Sequence, residues 1–141
     1  MAVRRVLVLV MAGALMAACT AAPSKDINAT LEEWKISVSP TTGGAGEVTF
    51  TIDNIGEKDH ELVVVKTDLA PDDLPTTADG DVDEEGAGME AIGELEDILA
   101  GTDDNELKLT LTAGDYVIFC NVVDEDLVHY QKGMHTAFTV E

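Results

Sequence analysis

A repeated period of two constrains this chain more than any other feature. Trp34-Lys35-Ile36-Ser37-Val38 alternates apolar and polar residues and is soon followed by Pro40. Val48-Thr49-Phe50-Thr51-Ile52 alternates again, between the turn cluster Thr41 to Gly46 and the turn signal Asn54-Ile55-Gly56. Leu107-Lys108-Leu109-Thr110-Leu111 repeats the pattern and gives way to a turn at Ala113-Gly114-Asp115. His60 to Lys66 and Tyr116 to Cys120 are short, mostly apolar runs, and Ala137 to Val140 closes the chain. Successive side chains of a strand point to opposite faces, so alternation marks a half-buried strand and a short apolar run a fully buried one. Short strands separated by turn signals predict an all-β sandwich or barrel. Five of the six aromatic residues fall within these stretches, Tyr130 being the exception, which places the core there.

Residues 67–105 break the rhythm. They carry 14 acidic residues and no Lys or Arg, and Pro71, Pro75, Gly80, Gly86 and Gly88 oppose regular structure in the first half. Met89 to Ala100 reads in two ways. It fits an amphipathic helix with Met89, Ile92, Leu95 and Leu99 on one face, weakened by Gly93. The preferred alternative is one short helix followed by an extended segment. Asp79, Asp81 and Asp83, with Glu90 beyond, echo a calcium loop. That reading is set aside because Glu84 stands where the sharp turn needs glycine.

Charge narrows the partners. Eight Lys+Arg against 28 Asp+Glu leave a formal net charge of −20. Nucleic acid is bound through clustered Lys and Arg, so it is excluded as a partner. The surface suits solubility, and it would also steer a basic partner. At 45% hydrophobic residues, the chain has enough apolar content for a core despite its acidity.

The first residues read as an address. Arg4 and Arg5 precede an apolar run from Val6 to Ala18, too short to span a bilayer and of secretory proportions. The run ends in Leu15-Met16-Ala17-Ala18-Cys19, which resembles a bacterial lipobox with Met16 in the place where Leu is usual. The expected division is a signal peptide over 1–18, a lipid-attached tether over 19–30 with Cys19 lipidated, and one domain over 31–141. Simple secretion and an uncleaved anchor are the alternatives. The reading implies an exported protein, held by lipid on the outer face of the cytoplasmic membrane or in the periplasm.

With Cys19 consumed by lipid, Cys120 has no disulfide partner. A lone thiol in an oxidising compartment is a liability unless it is buried or holds a metal. Cys120, His129 and Met134 lie in one segment between two strands, and His60 opens an earlier strand. Each alone has a plain structural reading. Together, two imidazoles, a thiolate and a thioether match the blue-copper set of two His and one Cys with a weak axial Met. His135 follows the axial Met, so in an extended chain it points to the opposite face and is not expected to be a ligand.

Here the chain resembles the cupredoxins, the plastocyanin- and azurin-like blue copper proteins. The resemblance runs from about Trp34 to Val140. It is carried by Asn54-x-Gly56 with His60-Glu61-Leu62, by Gly114-Asp115-Tyr116 with Cys120-Asn121, and by His129-Tyr130-x-x-Gly133-Met134-His135 with Phe138-Thr139-Val140. It implies a Greek-key β-sandwich or barrel holding one type 1 copper. His60, Cys120, His129 and Met134 match the family's ligands in order. Many bacterial members have Pro-Gly before the second His. Here Leu127-Val128 stands there, after Asp124-Glu125-Asp126, so the loop is longer and more acidic. The implied function is extracytoplasmic electron transfer to a redox protein partner. The alternatives are copper storage or delivery by the same ligands, and a metal-free module of the same fold. Catalysis is not expected. Three His leave no reservoir for a second copper once two are used, and no other catalytic constellation is visible.

Overall fold

Ile27, Ala29 and Leu31 turn inward from the first strand, β1 (Asp26–Glu32), and are almost completely buried. The structure, a computed structural model, describes residues 22–141. After β1 come β2 (Lys35–Ser39), β3 (Thr42–Gly43), β4 (Gly46–Asn54), β5 (His60–Lys66) and β6 (Glu90–Ile98). The chain continues with β7 (Asn105–Leu111), β8 (Gly114–Phe119), β9 (Val123–Asp124) and β10 (Leu127–Val128). A single 3₁₀ turn (Tyr130–Lys132) leads to β11 (His135–Val140).

Two sheets form the sandwich. One has the order β2-β1-β4-β7 and the other β3-β11-β8-β5-β6, while β9 and β10 make a separate small hairpin. The main core lies between the sheets, where Ile27, Leu31, Phe50, Ile52, Leu62, Ile118 and Phe138 pack together. Each such side chain contributes about 1.5–3 kcal/mol by leaving water. β5 and β8 read as continuous apolar runs because both their faces are covered. Val63, Val65, Val117 and Phe119 point away from the main core and meet Leu74, Val82, Val128 and Tyr130. The acidic insert therefore lies on the sheet, and Leu74 and Val82 are its apolar feet.

Two expectations are corrected. Glu90–Ile98 is a strand throughout, and no α-helix occurs among the described residues. The helical spacing arises from register shifts along the β5–β6 pair. Val64 pairs with Gly93 and Val65 with Ala91, so Ile92 is an extra residue, and a second irregularity separates the His60–Ile98 and Leu62–Leu95 pairs. Each irregularity advances the phase by one residue. Ile92, Leu95 and Ile98, three apart, thus all pack on the main core, while Leu99 is 55% exposed. Gly93 fits here because a Cβ would stand 2.6 Å from Leu109 Cδ2 on β7. The second correction concerns the tether: β1 starts at Asp26, so the folded part begins inside residues 19–30.

The proposed signal peptide and Cys19 lie outside the described residues. Among the described residues no helix is long and apolar enough to cross a membrane.

Candidate metal centre

Three strand ends meet at one edge of the sandwich. β5 and β8 pair antiparallel, with Val63 opposite Phe119, so the start of β5 lies beside the end of β8. β11 also pairs antiparallel with β8, with His135 opposite Phe119, which brings the start of β11 to the same place. His60 is the first residue of β5, Cys120 follows the last residue of β8, and Met134 precedes the first residue of β11.

Local hydrogen bonds fix each approach. Asn54 is fully buried, and its amide donates to the Lys58 carbonyl at 2.8 Å and the Ile98 carbonyl at 2.9 Å. Its side-chain oxygen accepts from Gly56 N–H at 3.0 Å, so one residue ties down the whole loop leading to His60. Cys120 N–H donates to the Met134 carbonyl at 3.0 Å. His129 N–H donates to the Val122 carbonyl at 3.0 Å, across the base of the β9–β10 hairpin. Gly133, at φ 109°, takes the left-handed conformation that ends the 3₁₀ turn and directs the chain to Met134.

The result is a close triangle of ligating atoms. His60 Nδ1 and His129 Nδ1 are 3.1 Å apart. Cys120 Sγ lies 3.4 Å from His129 Nδ1 and 3.8 Å from His60 Nδ1. All three residues are at most 1% exposed, and among the described residues they form the one group of His, Cys, Asp or Glu converging in this way. Metal bonds of about 2.0 Å to nitrogen and 2.3 Å to sulfur, at angles between tetrahedral and trigonal, separate two nitrogens by about 3.3–3.5 Å and nitrogen from sulfur by about 3.5–3.7 Å. The observed nitrogen–sulfur sides, 3.4 and 3.8 Å, bracket their range, and the nitrogen–nitrogen side, 3.1 Å, falls just short of its own. A donor set of one thiol and two imidazoles therefore fits a first-row metal, and its soft sulfur fits copper. Met134 is fully buried in the same core cluster as Cys120. His135 stands apart from the triangle, half-buried and tilted against the Tyr130 ring at 5.1 Å.

Surrounding groups set the protonation of the triangle. His60 Nε2 lies 3.1 Å from Glu33 Oε1. Glu33 also accepts from Lys58 N–H at 2.8 Å and Glu57 N–H at 3.2 Å. Burial raises its pKa, but these backbone donors outweigh it and hold the carboxyl below the usual range. An ionised carboxylate only accepts, so the His60 proton sits on Nε2 and Nδ1 turns its lone pair into the triangle. Burial holds both imidazoles below the ordinary histidine value. Burial also pushes the Cys120 thiol up to about 11, although Glu61 N–H points at its sulfur at 3.4 Å. Burial likewise pushes the Glu61 carboxyl up to about 7, against the opposing hydrogen bond from Asn121 N–H at 2.7 Å. His129 Nε2 is buried without a hydrogen-bond partner, and the Trp34 ring packs edge-on against that imidazole at 5.0 Å.

The acidic insert is anchored to the same loops. Asn121 accepts from Val82 N–H at 2.6 Å and donates to the Val82 carbonyl and the Glu84 carboxylate, each at 3.0 Å. Tyr130 donates to the Pro71 carbonyl at 2.9 Å and accepts from Leu74 N–H at 3.0 Å. The insert is thus held by the residue after Cys120 and the residue after His129. Glu33, Trp34 in its contact with His129, and these two anchors escape the sequence reading. Asn121 and Tyr130 stood next to candidate ligands, which was the available signal; Glu33 gave none.

No family model and no curated protein matches the chain. Solved structures do. An auracyanin from the photosynthetic bacterium Roseiflexus castenholzii superposes with a TM-score of 0.59 at 20% identity, over 84% of this chain and 98% of that one. Rusticyanin from Thiobacillus ferrooxidans gives 0.55 at 17%, over 82% and 76%. An azurin from Methylomonas sp. strain J gives 0.53 at 14%, over 82% and 97%. The fold is that of the cupredoxins. The sandwich implied by the sequence resemblance is the one observed, and the cupredoxin fold here carries its ligating triangle at the edge where β5, β8 and β11 meet.

Proposed function

We propose that this protein is a blue copper electron carrier, in which His60, Cys120 and His129 would hold the metal, with Met134 as a weaker fourth ligand. The observation that carries this reading is the buried triangle of one sulfur and two nitrogens with sides of 3.1–3.8 Å. Copper bound there would supply one-electron chemistry, between Cu(I) and Cu(II). The chain's part is to hold the donors still. His60 is fixed through Asn54 and Glu33, Cys120 through Met134, and His129 through Val122, so little rearranges when the charge changes. Burial excludes water from the donors. It also supports the carrier over copper storage or delivery, because a labile metal needs an approach for an incoming ligand.

The net charge of −20 supports a basic redox protein as partner, steered by complementary charge. The Arg4-Arg5 start, the apolar run and Cys19 support a lipid-anchored, extracytoplasmic location. The test compares two rates on the copper-loaded protein. A carrier shows electron self-exchange many orders of magnitude faster than copper loss to a chelator. Copper loss within seconds, with slow self-exchange, selects storage or delivery.

A further inference from the structure

Glu33 belongs to no part of the ligand set, yet every polar contact it makes points to one task. Its Oε1 lies 3.1 Å from His60 Nε2 and accepts from Lys58 N–H at 2.8 Å, and its Oε2 accepts from Glu57 N–H at 3.2 Å. Glu33 lies between β1 and β2, 27 positions from His60, and its carboxylate closes over the loop that precedes β5. The His60 ring is therefore gripped from behind by a formal negative charge, itself held by two backbone donors. A carboxylate behind a ligating imidazole fixes the tautomer and ring orientation and makes the ring a stronger donor.

Resting on the copper reading above, we infer that Glu33 is a positioning residue that tunes the metal centre through His60, favouring the more highly charged oxidised metal and so lowering the reduction potential. Two effects act together. The fixed tautomer keeps the Nδ1 lone pair on the metal. The negative charge is transmitted through the imidazole and attracts Cu(II) more than Cu(I). The step is a plain one-electron couple, Cu(II) plus an electron from a donor giving Cu(I), with no ligand gained or lost.

The experiment measures Cu(II) and Cu(I) affinities by competition, together with the reduction potential, for the wild type, Glu33→Gln and Asn54→Ala. Glu33→Gln removes the charge and keeps an acceptor for His60. Asn54→Ala loosens the same loop without altering charge. Glu33→Gln is expected to weaken Cu(II) binding by about 10–100-fold and Cu(I) binding less. Each tenfold change in that ratio raises the potential by about 59 mV. Asn54→Ala is expected to weaken both oxidation states alike and leave the potential in place. An unchanged ratio in Glu33→Gln, or an equal shift in Asn54→Ala, overturns the inference.

A second readout needs no copper. Nitrogen-15 NMR of the metal-free protein should place the His60 proton on Nε2, and a proton on Nδ1 overturns the inference outright. Failure of the wild type to bind copper, with the Nε2 tautomer present, instead sinks the proposed function.

Discussion

The Nδ1 atoms of His60 and His129 face each other at 3.1 Å across 69 positions of sequence, inside a site that water does not reach. With His60 protonated on Nε2, one hydrogen bond at most joins the two rings, and the thiol lies within sulfur hydrogen-bond distance of both Nδ1 atoms, at 3.4 and 3.8 Å. A single cation at the centre would satisfy all three at once.

Replacing Cys120 by serine removes the soft ligand and leaves both imidazoles. Cu(II) added to Cys120→Ser should give an ordinary tetragonal EPR spectrum and no intense visible band. A blue band surviving in the variant would show that the ligands are misassigned.

Copper uptake should release about one proton per chain at pH 7. The thiol, at about 11, is then protonated, while both imidazoles lie below the ordinary histidine value and are largely neutral. The bound thiolate must lose its proton, so apparent affinity rises about tenfold per pH unit from neutrality to the thiol pKa. Indicator-dye titration in weak buffer counts the proton. Release of none would mean that sulfur does not bind as thiolate.

Asn54 is the structural pivot of the first histidine. Asn54→Ala removes three hydrogen bonds and leaves the buried Ile98 carbonyl without that donor. The expected loss is about 3 kcal/mol by urea denaturation of the metal-free protein. A loss below about 0.5 kcal/mol would show that the loop before β5 is held by other means.

Much of this was legible in the chain, and the reasons differ by element. β4, β7 and β11 announce themselves because one face is buried and one is wet, which writes period two into the residues. β5 and β8 are unbroken because the insert covers their second face. β1 alternates as well, through Ile27, Ala29 and Leu31, but a lone alanine among polar residues is a weak mark. β6 misleads for a physical reason: its two irregularities move Ile92, Leu95 and Ile98 to a spacing of three, the spacing of a helix. The ligands were readable by chemical type at strand ends. Glu33 was not, because its role depends on a contact with His60 that only the folded chain creates.

Tyr130 joins the metal loop to the acidic insert through one hydroxyl. Tyr130→Phe loses the bonds to Pro71 and Leu74, at an expected cost of about 1–2 kcal/mol. Hydrogen exchange should quicken at Leu74 while the β4 and β8 amides keep their protection. Uniform quickening would mean that the insert and the sandwich open as one unit.

Titration of the metal-free protein with Cu(II) asks whether His60, Cys120 and His129 form one metal centre. Visible absorption and EPR should show an intense thiolate-to-copper band and a narrow copper hyperfine splitting, both saturating at one copper per chain. A colourless product with ordinary tetragonal signals, or no binding at all, would contradict it.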